Sequence, residues 1–205
     1  MIVIVDYDMG NLGSIANMLK KVGAKATISS DPAVVGEAEK LILPGVGAFD
    51  NGMKNLNEMG LLSVLNQKVL REKTPVLGVC LGMQLLTRRS EEGKLPGLGW
   101  IEADTIKFNF NGQAASLKVP HMGWNYIDVC QTNSLFQEMP DHSRFYFVHS
   151  YYVNCDDNRT ILATARYGLE FAAAVASENV LGVQFHPEKS HKFGMRLYKN
   201  FVERF

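Results

Sequence analysis

Residues 76–86 constrain the fold more than any other part of the chain. Val76-Leu77-Gly78-Val79 is a short apolar run of the kind that fills a strand buried on both faces. It leads into Cys80-Leu81-Gly82-Met83-Gln84, after which Leu81, Leu85 and Leu86 recur at helical spacing. A strand that becomes a helix across one residue bends sharply, and Gly78 and Gly82 remove the Cβ atoms that would clash in the bend. This is the cysteine form of a nucleophile elbow. It points the sulfur off the sheet edge and sets it at a helix N-terminus, where free N–H groups and the macrodipole favour thiolate over thiol. A lone free cysteine is also commonly a buried structural residue, so the elbow alone leaves both readings open.

A second stretch narrows them. Leu181–Phe185 reads as another buried strand, with His186 and Glu188 at its carboxyl end. In an open parallel sheet, catalytic groups gather at the carboxyl ends of strands. Cys80 and His186 can therefore meet although 106 positions separate them. A histidine beside a cysteine takes its proton, and a carboxylate behind the histidine fixes the tautomer and supports the imidazolium. Pro187 stiffens the link between base and orienter. Singly, His186 reads equally as a core histidine and Glu188 as a helix N-terminal acid; together with the elbow they point to a Cys-His-Glu triad.

The remaining chain predicts an α/β fold with a doubly wound, mostly parallel central sheet flanked by helices. Ile2–Val5, Ala24–Ile28, Leu41–Leu43 and Val76–Val79 read as strands. Between them lie a helix ending at Gly23 and capped by Asn11 or Asp8, a short helix opened by Asp31-Pro32, and a helical stretch broken near Gly60 and resuming over Leu61–Glu72. Such β-α alternation is the signature of a doubly wound sheet. From Gly97 to Ala176 the character changes. Ile101–Phe108, Leu117–Val119, Tyr126–Val129, Arg144–Val148, Ile161–Tyr167 and Ala172–Ala176 are candidate strands of an added antiparallel or mixed region. A final helix spans about Lys192–Glu203. With no linker, repeat or low-complexity segment, residues 1–205 are expected to form one domain.

Composition excludes several classes. Lysine plus arginine equals aspartate plus glutamate, which argues against nucleic acid or an anionic membrane as partner. Cys80, Cys130 and Cys155 are odd in number and widely spaced, so neither a disulfide framework nor a zinc site is expected. No signal peptide opens the sequence and no apolar run reaches membrane-spanning length, so the expected compartment is the cytoplasm.

The pairing of Gly78-Val79-Cys80-Leu81-Gly82-Met83-Gln84 with Gln184-Phe185-His186-Pro187-Glu188 resembles the class I, triad-type glutamine amidotransferases. Asp6 to Leu12, Leu43 to Phe49, Arg88 to Gly93, Pro120 to Asn125 and Phe145 to Tyr151 resemble, more narrowly, the glutaminase subunits of imidazole glycerol phosphate synthase. The resemblance runs nearly end to end; only the segments around 108–116 and 154–160 carry no recognisable motif. It implies a flavodoxin-like fold and hydrolysis of glutamine to glutamate and ammonia, with no metal or organic cofactor. The ammonia would pass to a separate (βα)₈-barrel cyclase in a heterodimer making imidazole glycerol phosphate in histidine biosynthesis. It further implies that Pro44-Gly45-Val46-Gly47 is the oxyanion strand, with Val46 and Gly47 joined by the N–H of Leu81 just after the nucleophile. Gly45, Gln84, His149, Ser150 and Tyr151 would bind glutamine, and Lys189 would face the partner. His149 is the rival to His186 as base, but no carboxylate stands near it in sequence. Arg88-Arg89 with Glu91-Glu92 reads as a solvated helix end, and Cys130 and Cys155 as structural. Three other readings stay open: a look-alike subunit serving amidination of a surface-polysaccharide sugar, a partner-independent cysteine hydrolase on a similar elbow fold, and a non-catalytic binding subunit.

Overall fold

A computed structural model describes residues 1–110 and 116–205; of the motif-free stretch around 108–116, residues 111–115 lie outside the described residues. Five strands, β1 (Ile2–Val5), β2 (Ala26–Ser29), β3 (Lys40–Leu43), β4 (Val76–Val79) and β12 (Val180–Val183), run parallel in the order β2-β1-β3-β4-β12. β11 (Leu169–Ser177), β10 (Ile161–Tyr167) and β7 (Asp128–Val129) continue the same sheet antiparallel, completing eight strands. β1, β4 and β12 are buried along their whole length, as their unbroken apolar runs demand. Two core clusters lie on opposite faces of the sheet. Ile4, Leu77 and Leu181 pack into one with Leu19 and Phe201; Val3, Leu43 and Val76 pack into the other with Leu56 and Leu65.

The helices on these faces are α1 (Leu12–Lys21), α2 (Pro32–Gly36), α3 (Phe49–Glu58), α4 (Leu61–Asn66), α5 (Leu81–Leu85) and α6 (His191–Arg204). Their punctuation follows the sequence. The Asn11 side chain accepts the Ser14 N–H, Gly23 lies past the end of α1 at φ +85°, and Asp31 caps α2 with Pro32 at its first position. Gly60, at φ +69°, separates α3 from α4.

Several boundaries differ from the sequence reading. The second strand starts two residues later, at Ala26, because residues 22–24 close the end of α1. The helix expected over Leu61–Glu72 is α-helical only to Asn66; Gln67–Arg71 is a π turn. Leu117–Val119 is not a strand, and of Tyr126–Val129 only Asp128 and Val129 join the main sheet. Tyr126 instead ends β6 (His121–Tyr126), which pairs antiparallel with β8 (Arg144–His149). β5 (Ala103–Lys107) pairs with β9 (Tyr151–Cys155) in a second ribbon. Neither β6 nor β9 was expected from sequence. The two ribbons lie beside the carboxyl ends of the parallel strands and wall in the space above Cys80. No helix among the described residues is long and apolar enough to cross a membrane.

Candidate active site

Cys80 follows β4 directly and adopts φ +54°, ψ −108°, conformations that a non-glycine residue holds only where its surroundings enforce them. The enforcement is visible. The Cys80 N–H donates to the Val183 carbonyl at 2.8 Å, anchoring the elbow to the neighbouring strand. A Cβ on Gly78 would meet Gly82 and Met83 backbone at 2.8 Å, and one on Gly82 would collide with the Leu43 carbonyl. Both glycines are steric necessities. The helix behind the sulfur is only five residues long, so its macrodipole is weaker than the sequence suggested.

The central pairing Val79↔Val183 places the ends of β4 and β12 side by side, which brings the turn after β12 against Cys80. His186 Nδ1 lies 2.7 Å from Glu188 Oε1, with both side chains almost wholly buried. Burial opposes the charged imidazole, but Cys80 and Glu188 outweigh it and raise its pKa to about 10. Nε2, free of other partners, faces the sulfur. The turn is clamped by Ser190. Its hydroxyl donates to the His186 carbonyl at 2.6 Å and accepts the Tyr146 N–H at 3.0 Å. The His186 N–H donates to the Tyr146 carbonyl at 2.9 Å.

A cavity of about 280 Å³ opens over the sulfur, a size suited to a ligand smaller than drug-sized molecules. Val46, Gly47, Leu81, Gln84, His149, Ser150 and Tyr151, all expected from sequence, line it together with Glu92, Pro120 and Val148. Gly45 does not line it; its carbonyl instead accepts the Leu81 N–H at 3.3 Å. In a planar trans peptide the Val46 N–H points opposite to that carbonyl. Of the three residues expected at the oxyanion site, Leu81 has its N–H occupied and Val46 has its N–H turned away, so these two donors do not converge, while Gly47 lines the cavity. Tyr7, whose hydroxyl donates to the Pro44 carbonyl, braces this loop from below. Burial first, then proximity to Cys80, raises the Tyr7 pKa well above the phenol range, so it stays a neutral donor.

Gln84 spends both donors of its amide inside the protein, on the Tyr151 carbonyl and on Gln184 Oε1, each at 3.1 Å. His149 is not placed as a base. Its Nδ1 pairs with the Tyr151 carbonyl at 2.8 Å and its Nε2 with His121 Nδ1 at 3.0 Å. Burial depresses both pKa values, to about 3 for His149 and about 4 for His121. With Asn125 at His121 Nε2, the pair forms a neutral relay that fixes the Tyr151 carbonyl. Lys189 is exposed and its ammonium lies 5.7 Å above the Tyr146 ring, at the rim of the turn carrying Glu188.

Sequence reasoning missed two residues. Gln184 is fully buried with its Nε2 directed at the Cys80 sulfur at 3.9 Å; a polar residue inside an otherwise apolar strand was the signal. Glu92 was read as part of a solvated helix end, but that helix stops at Leu85. Glu92 Oε2 accepts the Phe49 N–H at 2.9 Å and the residue lines the cavity, while Arg88 pairs with Asp104 and Asp156 and Arg89 with Asp104. Cys130, expected to be structural, is exposed.

A profile of the family described as "Glutamine amidotransferase class-I" matches residues 3–205. The chain belongs to that family, whose members are glutaminase enzymes. It is 57% identical to imidazole glycerol phosphate synthase subunit HisH 2 of Methanococcus maripaludis, over 100% of both chains. It is 54% identical to the HisH 2 subunit of Pseudomonas aeruginosa over 99% of both, and 47% identical to the HisH subunit of Bdellovibrio bacteriovorus over 99% of this chain and all of that one. Within the family it therefore belongs with the HisH subunits. A solved structure described as a glutamine amidotransferase superposes with a TM-score of 0.72 at 21% identity, covering 99% of this chain and 98% of that one. The glutaminase domain of Trypanosoma brucei CTPS with bound acivicin superposes at 0.65 and 16% identity, covering 100% and 94%. These two likenesses speak to the fold.

Proposed function

We propose that this chain is a single glutamine amidotransferase domain that makes ammonia from glutamine for the (βα)₈-barrel subunit of imidazole glycerol phosphate synthase, in histidine biosynthesis. The observation that carries the site assignment is the junction of β4 and β12. It holds the strained Cys80 against a buried His186 whose other nitrogen is 2.7 Å from Glu188. Cys80, as thiolate, attacks the side-chain amide carbon and the carbonyl π electrons move onto oxygen. As that oxyanion collapses, the C–N bond breaks and His186 gives its proton to the departing ammonia. The neutral imidazole then takes a proton from water, whose oxygen attacks the thioester. Collapse of the second oxyanion breaks the C–S bond, frees glutamate and restores the thiolate–imidazolium pair. Glu92 offers a counter-charge to the α-ammonium of glutamine, and Gln184 steadies the sulfur.

The partner surface is supported by the outer face of the β6–β8 ribbon. Met122, Trp124 and Tyr126 are all exposed at alternate positions, an apolar row that continues to Val148 at the cavity mouth, with the Lys189 ammonium nearby over the Tyr146 ring. A second reading rests on one fact: the relatives at 57% and 54% identity are both numbered as a second HisH. A genome with two such subunits can dedicate one to a different ammonia acceptor, such as a surface-polysaccharide sugar. The test of the proposal is Cys80→Ala in the complex. It abolishes synthesis from glutamine but leaves synthesis from ammonium salts; loss of both would refute the division of labour. A barrel partner that aminates a sugar in place of the nucleotide would favour the second reading.

A further inference from the structure

Three buried polar atoms have no hydrogen-bond partner among the described residues: His186 Nε2, on the Cys80 side of the ring, the second carboxylate oxygen of Glu188, Oε2, and the hydroxyl of Tyr198. Neither of the last two is incidental. Tyr198 is fully buried on α6, and the Glu188 side chain is 3% exposed. A buried carboxylate oxygen and a buried hydroxyl each cost free energy unless they are hydrogen-bonded.

The packing of α6 brings them together. A Cβ on Gly194 would collide with the Pro187 carbonyl, so the first turn of α6 sits directly on the turn that carries Glu188. Tyr198 lies four residues further on and so on the same helix face. Long helical side chains point back toward the N-terminus and cover the turn before their own Cα. Tyr198 therefore reaches back toward Glu188, while Leu197 and Phe201 join Phe185 in the core beneath. Burial, then the Glu188 charge, holds the Tyr198 phenol well above its ordinary pKa, so it is a neutral O–H donor.

We propose that Tyr198 is a positioning residue of the triad: its hydroxyl serves Glu188 Oε2 across one buried water, while Oε1 holds His186. The inference rests on the triad reading above. Glu188 would then be fixed from both sides. The titratable and charged groups around it are His186 and Lys189 on its own turn, Cys80 on the elbow, His149 on β8, and Tyr198 on α6.

The test follows alkylation of Cys80 by iodoacetamide against pH, read by mass at the Cys80 peptide of the full chain. Variants are Tyr198→Phe, Glu188→Gln and His186→Asn, each with a thermal melt. Loss of an O–H donor disfavours an ionised carboxylate. Tyr198→Phe is therefore expected to move the acid limb of the profile upward by about one pH unit, and Glu188→Gln to move it further. The melt of Tyr198→Phe should fall, because Oε2 loses its donor. Removing a hydroxyl that served nothing would instead leave the melt unchanged or raise it. A Tyr198→Phe limb superimposed on the unsubstituted chain, with Glu188→Gln still displaced, overturns the inference alone. If His186→Asn and Glu188→Gln both leave the profile unmoved, the triad reading falls, and the inference with it.

Discussion

The bond from the Leu81 N–H to the Gly45 carbonyl predicts that the isolated chain is a slow glutaminase. Its partner, holding its own substrate, should switch it on. At 3.3 Å the bond is long. Breaking it costs no more than about 0.5–1.5 kcal/mol. Rotating the Gly45–Val46 peptide then frees the Leu81 donor and swings the Val46 N–H toward the site. Removing one oxyanion donor typically costs 10²–10³ in kcat, roughly 2.7–4 kcal/mol. The resting arrangement lacks two well-placed donors, so activation of at least about 10²-fold is expected. A partner that prefers the rotated loop by a few kcal/mol supplies this, within the usual range of coupling between sites. The loop has room to move: Val46 is exposed, and even a Cβ added at Gly47, at φ +121°, would meet only the flexible end of the Met9 side chain. The assay is glutamate release by the chain alone, with the partner, and with the partner plus its nucleotide substrate. Equal rates in all three would refute the reasoning and leave the glycines as a simple turn.

Three further outcomes are expected. His186→Asn should lower glutamine turnover nearly as far as Cys80→Ala, Glu188→Gln less, and His149→Asn least; a larger loss for His149 would reassign the base. His149 and His121 have folded pKa values of about 3 and 4, below the ordinary 6.5, so between those limits the unfolded chain binds more protons. Their contribution to stability is complete above about pH 6.5 and drains away as pH falls toward 4. Thermal melts from pH 7 to 4 should fall, and His149→Gln should flatten the fall; an unchanged slope would contradict the neutral relay. Hydrogen exchange of residues 121–126 and 184–192 should slow on binding the partner, and unaltered protection would move the interface elsewhere.

The parallel half of the fold was legible because β1, β4 and β12 are buried on both faces and read as unbroken apolar runs, with glycine wherever two backbones touch. The elbow was legible because so sharp a strand-to-helix turn leaves few alternatives at Gly78 and Gly82. β6 was not, because its pattern is inverted: His121 and Asn125 face inward as the polar relay, while Met122, Trp124 and Tyr126 face solvent. A rule that places apolar residues inside cannot read such a strand. Glu92 escaped because its role depends on an N–H from Phe49, 43 residues away. The resting position of the 44–47 loop depends on one peptide orientation, which glycine leaves undetermined in sequence.

The position of β12 has a consequence for how the protein is made. It is the last strand of the chain, yet it occupies the middle of the sheet, between β4 and β11. While a ribosome has released the chain only as far as β11, the parallel block and the antiparallel hairpin each present a bare edge where β12 belongs. The elbow cysteine then exists without the His186 and Glu188 proposed to serve it as base and carboxylate, so on that reading the nascent chain cleaves no amide. Non-local closure of this kind is slow, and bare edges invite pairing with other chains. One four-residue strand therefore decides at the same moment whether the two halves become one sheet and whether His186 comes to lie beside the Cys80 elbow.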